Sequence, residues 1–173
     1  NACVFSSIVD TILVVCHKDY MHVLHSALDH SPSFKKKNIE IIEGGRSRIR
    51  STWLGLTHPY SQRGDTTILL EANRPLVSSE DIDRLYEDFL QEKSACAFYF
   101  SRMKESLFYA KKDGEKVWLD KSRYMMSQTP YIFDADAAAE IIQNIQGNDC
   151  SDDKDIIAFI SHSKKKTAIE SPF

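Results

Sequence analysis

Residues 69 to 78 read LLEANRPLVS: an apolar run halts at a carboxylate, Glu71, and three residues later sets Arg74 against Pro75. A carboxylate there can offer oxygen to a divalent cation, and a guanidinium can grip phosphate through its planar fork. An exposed ion pair at the same spacing would add little to stability and carry no chemistry. The choice depends on what else shares that face of the molecule.

The order of elements places the loop. TILVVC (11–16) is a continuous β-branched run, expected to be a strand covered on both faces. YMHVLHSAL follows at helical spacing. NIEIIEGG (38–45) predicts a second strand ending in a double glycine, SRIRSTWLGL (47–56) a second helix, and TTILLE (66–71) a third strand. Ser78 or Ser79 then caps EDIDRLYEDFLQEK, with Asp81 in capping-box position. ACAFYF (95–100) predicts a fourth strand. Alternating strands and helices with short connections imply right-handed crossovers and a Rossmann-like, mostly parallel α/β sheet with helices on both faces. The rhythm breaks at ESLFYAKKDGEKVWLDK (105–121), where Asp113-Gly114 between strand-prone arms predicts a protruding β-hairpin. A helix over 133–147, capped by Asp134 and stopped by Gly147, a short acidic helix and a final strand close the chain. In such sheets ligands sit beyond the carboxyl ends of the strands. GGRSR after the second strand and EANRP after the third therefore share a face with whatever the hairpin covers, and Glu71 and Arg74 lie where an anion and its metal would bind.

Composition narrows the field. With 173 residues, 42% of them hydrophobic, the chain can build one sizeable core. A net charge of −3 gives no global basic field for nucleic acid, and the lysine runs at 35–37 and 164–166 read as solvated loops. No apolar stretch approaches the roughly 20 residues of a membrane span. Cys3, Cys16, Cys96 and Cys150 lack C-x-x-C spacing and read as reduced residues of a cytoplasmic protein. His17, His22, His25 and His30 crowd one region but read as surface or helix-end residues. Trp53, Leu54, Leu56, Met125 and Met126 read as core.

GGRSRIRSTWLGL, LLEANRPLVSSEDIDRL and DKSRYMMSQTPYIFDADAAAEII, with the tail CSDD, resemble the methylerythritol phosphate and ribitol-phosphate cytidylyltransferases in order and spacing. The resemblance implies transfer of CMP from CTP to a small polyol phosphate, with a divalent cation such as Mg²⁺ and release of pyrophosphate. It further implies CTP binding by Gly44, Gly45, Ser51 and Ala72, a metal at Glu71, and Arg74, Lys121, Thr129 and Ser151 around the polyol phosphate. The hairpin looks like the arm through which such enzymes form homodimers.

The departures are specific. Glu71 stands where the family has aspartate, and Lys121 where it has arginine, which keeps the charge but loses the bidentate fork. Lys104 occupies a place the family usually gives to a small hydroxyl residue. Together they motivate an alternative, a catalytically impaired member that binds or regulates. The family's N-terminal glycine-rich loop and a C-terminal lysine have no counterpart within residues 1–173. The chain therefore reads as a single domain trimmed at both ends.

Overall fold

The computed structural model describes residues 2–146 and 155–171. A short helix α1 (Ala2–Phe5) leads into strand β1 (Thr11–Cys16), helix α2 (Met21–Asp29) and strand β2 (Asn38–Glu43). Next come α3 (Arg48–Thr57), α4 (Pro59–Arg63), β3 (Thr66–Leu69), α5 (Ser79–Gln91) and β4 (Cys96–Arg102). The hairpin β5 (Leu107–Ala110) and β6 (Lys116–Leu119) follows, then β7 (Met125–Asp134), α6 (Ala135–Gln146) and β8 (Lys166–Glu170).

The expected α/β architecture is present, with one strand that pattern reading does not find. β1 and β2 pair in parallel, Thr11 opposite Asn38. The other principal sheet runs β3-β7-β4-β8. β4 and β8 are parallel, whereas β7 is antiparallel to both β3 and β4, so β3, β4 and β8 share one direction. β7 was hidden by Pro130, which ordinarily argues against a central strand because it cannot donate to the ladder. The structure absorbs it at an irregularity. The β4–β7 register jumps between Phe98 opposite Tyr131 and Tyr99 opposite Gln128, which leaves Thr129 and Pro130 without ladder partners.

Helices cover both faces of this sheet. On one, α3 and α6 supply Ile49, Leu56 and Ile141 to a cluster with Tyr131 and Phe133. On the other, Leu85 and Phe89 of α5 pack on Ala97, Tyr99 and Ile132. The predicted capping box holds α5: the Ser78 side chain accepts from the Asp81 N–H, and Asp81 accepts from the Ser78 N–H at 2.9 Å. Asp134 caps α6 by accepting from the Ala137 N–H at 2.6 Å; Gly147 lies outside the described residues.

Several expectations need correcting. β3 ends at Leu69 rather than at residue 71, and residues 133–134 belong to β7 rather than to the helix. Met125 and Met126 are 53% and 50% exposed at the start of β7, where that strand leaves the core, so they are not core residues. The lysine runs are structural in part. Lys37 Nζ donates to the carbonyls of Ser6 and Val9, and Lys165 pairs with Glu92 at 2.6 Å. The four histidines are exposed, as read from their spacing.

Among the described residues β1 pairs only with β2, and β3 only with β7. A groove of about 1110 Å³ lies against both strands, its apolar side chains including Ile12, Val14, Leu28, Phe34, Ile68 and Leu70.

Candidate active site

The glycine loop after β2 is bound tightly to the start of α3. The Gly44 N–H donates to the Cys16 carbonyl at 2.7 Å, and the Gly45 N–H to Ser51 Oγ at 3.0 Å. Ser51 in turn donates to the Ser47 carbonyl at 2.9 Å, and Ser47 Oγ caps α3 through the Arg50 N–H. Ser51 thereby spends its one proton and one of its two lone pairs inside the loop. A Cβ on Gly44 would meet Ser51 Oγ at 3.0 Å, and one on Gly45 would lie 2.3 Å from Arg50 Cγ. Glycine at 45 is thus a packing requirement of this loop, and a Cβ at 44 would be tight. The Arg50 guanidinium stacks on the Trp53 ring, 3.8 Å from its centroid.

The loop after β3 answers the question its charges raise. Glu71 and Arg74 share a backbone turn, the Arg74 N–H donating to the Glu71 carbonyl at 3.1 Å, but their side chains do not pair. The partner of Glu71 is Arg48 in the first turn of α3, with Nη1 3.5 Å from Oε1. Arg48 therefore joins the two loops, while the exposed Arg74 guanidinium makes no ion pair among the described residues. Ala72 is exposed at the turn's corner. Arg48 could have been singled out in the sequence, since it is the arginine of the G-G-x-x-R pattern.

Lys121 stands at the foot of the hairpin. Its Nζ donates to the Lys104 carbonyl at 2.7 Å, clasping the two ends of the arm, and two of its three ammonium protons remain for other acceptors. No hydrogen bond or ion pair joins Lys121 to Arg74 or Glu71 among the described residues. Thr129 sits in the β7 irregularity, 2% exposed, and its Oγ1 has no hydrogen-bond partner among the described residues. Ser151 lies outside the described residues.

One cluster had no signal in the sequence, because its members are far apart along the chain. Asp155 Oδ2 accepts from Ser127 Oγ at 2.6 Å and from the Tyr131 hydroxyl at 3.1 Å. Burial pushes the Tyr131 hydroxyl up to about 12; a Ser127 hydrogen bond pulls it down, and the Asp155 and Glu71 carboxylates add to the rise.

Among the described residues no three His, Cys, Asp or Glu side chains group as a metal cluster. Mg²⁺ needs none, since it binds through one or two carboxylates plus substrate phosphate oxygens and waters. Glu71 fits that mode: Arg48 faces one carboxylate oxygen, and the other makes no hydrogen bond among the described residues.

Comparison with known proteins identifies the family. The family model for 2-C-methyl-D-erythritol 4-phosphate cytidylyltransferase, IspD, matches residues 1–166. The chain belongs to the IspD family. It is accordingly a nucleotidyltransferase, of a family whose co-substrate is CTP. A 2-C-methyl-D-erythritol 4-phosphate cytidylyltransferase of Lachnospira eligens is 28% identical over 163 residues, covering 91% of this chain and 69% of that one. Among solved structures, the 4-diphosphocytidyl-2C-methyl-D-erythritol synthase of Anaerococcus prevotii superposes with a TM-score of 0.79 at 18% identity, covering 98% of this chain and 73% of that one. The 2-C-methyl-D-erythritol 4-phosphate cytidylyltransferase of Thermus thermophilus gives 0.64 at 15% identity, covering 94% and 88%. At those identities the superpositions establish the IspD fold. No helix among the described residues is long and apolar enough to cross a membrane.

Proposed function

We propose that the protein transfers CMP from CTP to 2-C-methyl-D-erythritol 4-phosphate or a closely related sugar-alcohol phosphate. The observation that carries this reading is the family match over residues 1–166. A phosphate oxygen of the polyol phosphate attacks the α-phosphorus of CTP. The bond from that phosphorus to the oxygen bridging to the β-phosphorus breaks, and pyrophosphate leaves with the electron pair. Catalysis of such a step is mainly alignment and neutralisation of anionic charge.

In this reading Gly44, Gly45, Ser51 and Ala72 receive CTP: the backbone of the glycine loop approaches the base, and Ser51 offers its remaining lone pair at the base edge. Glu71 would hold Mg²⁺, which when bound offsets phosphate charge and helps align the reacting groups. Arg74 and Lys121 place positive charge around the polyol phosphate, with Thr129 and Ser151 as the candidate hydroxyl contacts. The exposed Phe108 and Trp118, packed edge to face on the hairpin at 5.1 Å, support the arm as a homodimer contact. The apolar groove along β1 and β3 supports a domain completed by one more strand from outside these 173 residues, since sheet edges left open are a liability. A cytoplasmic location is part of the same reading. An impaired regulatory subunit is the less favoured alternative, because the family model and the curated relative are both cytidylyltransferases.

Incubating the protein with CTP, Mg²⁺ and a panel of polyol phosphates should release pyrophosphate, most rapidly with one member of the panel. Folded protein that stays silent across the panel would refute the reading. A second expectation isolates the CTP side. Gly45→Ala forces Arg50 and the first turn of α3 to move, an overpacking cost of about 1–3 kcal/mol, so the Kd for CTP should rise roughly 5- to 150-fold. Calorimetric titration with CTP measures this directly. A Kd within about twofold of wild type would remove Gly45 from the pocket.

A further inference from the structure

β7 serves the polyol-phosphate half of the proposed site: its upstream end connects to Lys121, and its interior carries Thr129. It is also the strand whose ladder is interrupted. Between Gln128 and Tyr131 the residues Thr129 and Pro130 have no partner on β4, so two consecutive positions lack the hydrogen bonds that hold the rest of the strand. Irregularities of this kind bend a strand and redirect its side chains, and left unsupported they are the points where a ladder opens first.

One side chain spans the gap. Ser127 lies on the upstream side of the unpaired residues and Tyr131 on the downstream side, and both hydroxyls donate to the same oxygen of Asp155. The Tyr131 and Ser127 hydroxyl oxygens also lie 3.2 Å apart, which closes a three-membered network. The other Asp155 oxygen accepts from the Ile157 N–H at 3.1 Å and caps the turn Ile156–Phe159, whose Ile156 and Phe159 are buried in the main core cluster. Asp155 therefore fastens both sides of the β7 irregularity to a turn that is itself anchored in the core. Among the described residues Asp155 makes no hydrogen bond to the glycine loop, where the Gly44 and Gly45 N–H groups donate to Cys16 and Ser51.

We propose that Asp155 is a positioning residue for the polyol-phosphate half of the site: by bridging Ser127 and Tyr131 across the unpaired Thr129-Pro130 step, it fixes the course of β7 and hence the placement of Lys121. The assignment of that half rests on the function proposed above. The CTP half is predicted to be indifferent to it.

Three variants test this in the full chain. Asp155→Ser keeps a hydroxyl able to cap Ile157 but is too short to reach Ser127 and Tyr131, while Tyr131→Phe and Ser127→Ala each delete one arm of the bridge. Asp155→Ser should raise the KM for the polyol phosphate about tenfold while leaving the KM for CTP within twofold, and the single-arm variants should show the same split more weakly. A KM for the polyol phosphate within twofold of wild type, or a parallel rise in both KM values, would overturn the proposal. Hydrogen exchange read by mass spectrometry supplies a measure independent of turnover. In Asp155→Ser, amides of residues 121–131 should exchange at least tenfold faster while those of β1 and β2 keep their wild-type rates. Unchanged exchange at 121–131 would overturn the positioning role even if the wild type proves active. Faster exchange there with no turnover from the wild type would instead uphold the bridge and refute the proposed function.

Discussion

Lys121→Ala and Arg74→Ala should each lower turnover by roughly 30- to 1000-fold, the loss of about 2–4 kcal/mol expected when a charge-assisted contact to a reacting phosphate is removed. CTP affinity should stay close to wild type, because Gly44, Gly45 and Ser51 form a separately bonded loop. The two cations start from different states. Arg74 is exposed and makes no ion pair among the described residues, whereas Lys121 already clasps the hairpin through the Lys104 carbonyl at 2.7 Å. Lys121→Ala therefore also loosens the arm, and Lys121→Arg should be tolerated or improve turnover by supplying a bidentate fork. Steady-state kinetics with saturating CTP decides the matter. Turnover of Lys121→Ala within about twofold of wild type would show that this lysine does not face the reacting phosphate.

The largest expected effect on stability lies at Phe133. It is fully buried on β7 within the cluster that joins α3, α6 and the sheet. Truncation of such a phenylalanine costs about 3–5 kcal/mol, a large share of the roughly 5–15 kcal/mol that holds a whole domain together. Phe133→Ala should therefore shift the urea midpoint far below that of wild type. Phe108→Ala on the hairpin, where the ring is 44% exposed, should move it little. Similar midpoints for the two variants would mean that β7 is not the centre of the cooperative unit.

The sequence alone determined those features that depend on local pattern. β-branched runs made β1 and β2 legible, Ser78 and Asp81 announced the start of α5, and Asp113-Gly114 announced the hairpin, where Gly114 indeed adopts φ 89°. The glycine loop and the E-A-N-R-P turn were legible as neighbours, which the Arg48–Glu71 pair joins, and the resemblance to the family rested on the same stretches. The tertiary structure decided what depends on partners distant in the chain. β7 becomes a strand because β3 and β4 supply ladders on both its sides and an irregularity takes up Pro130, a compensation that no period in MMSQTPYIFD can signal. Glu71 pairs with Arg48 rather than Arg74, because the turn after β3 directs the carboxylate toward the first turn of α3, 23 positions earlier. Asp155 meets Ser127 and Tyr131 across 28 and 24 positions for the same reason. Periodicity records which face of an element is buried, but the identity of the side chain waiting there is set only when the elements pack.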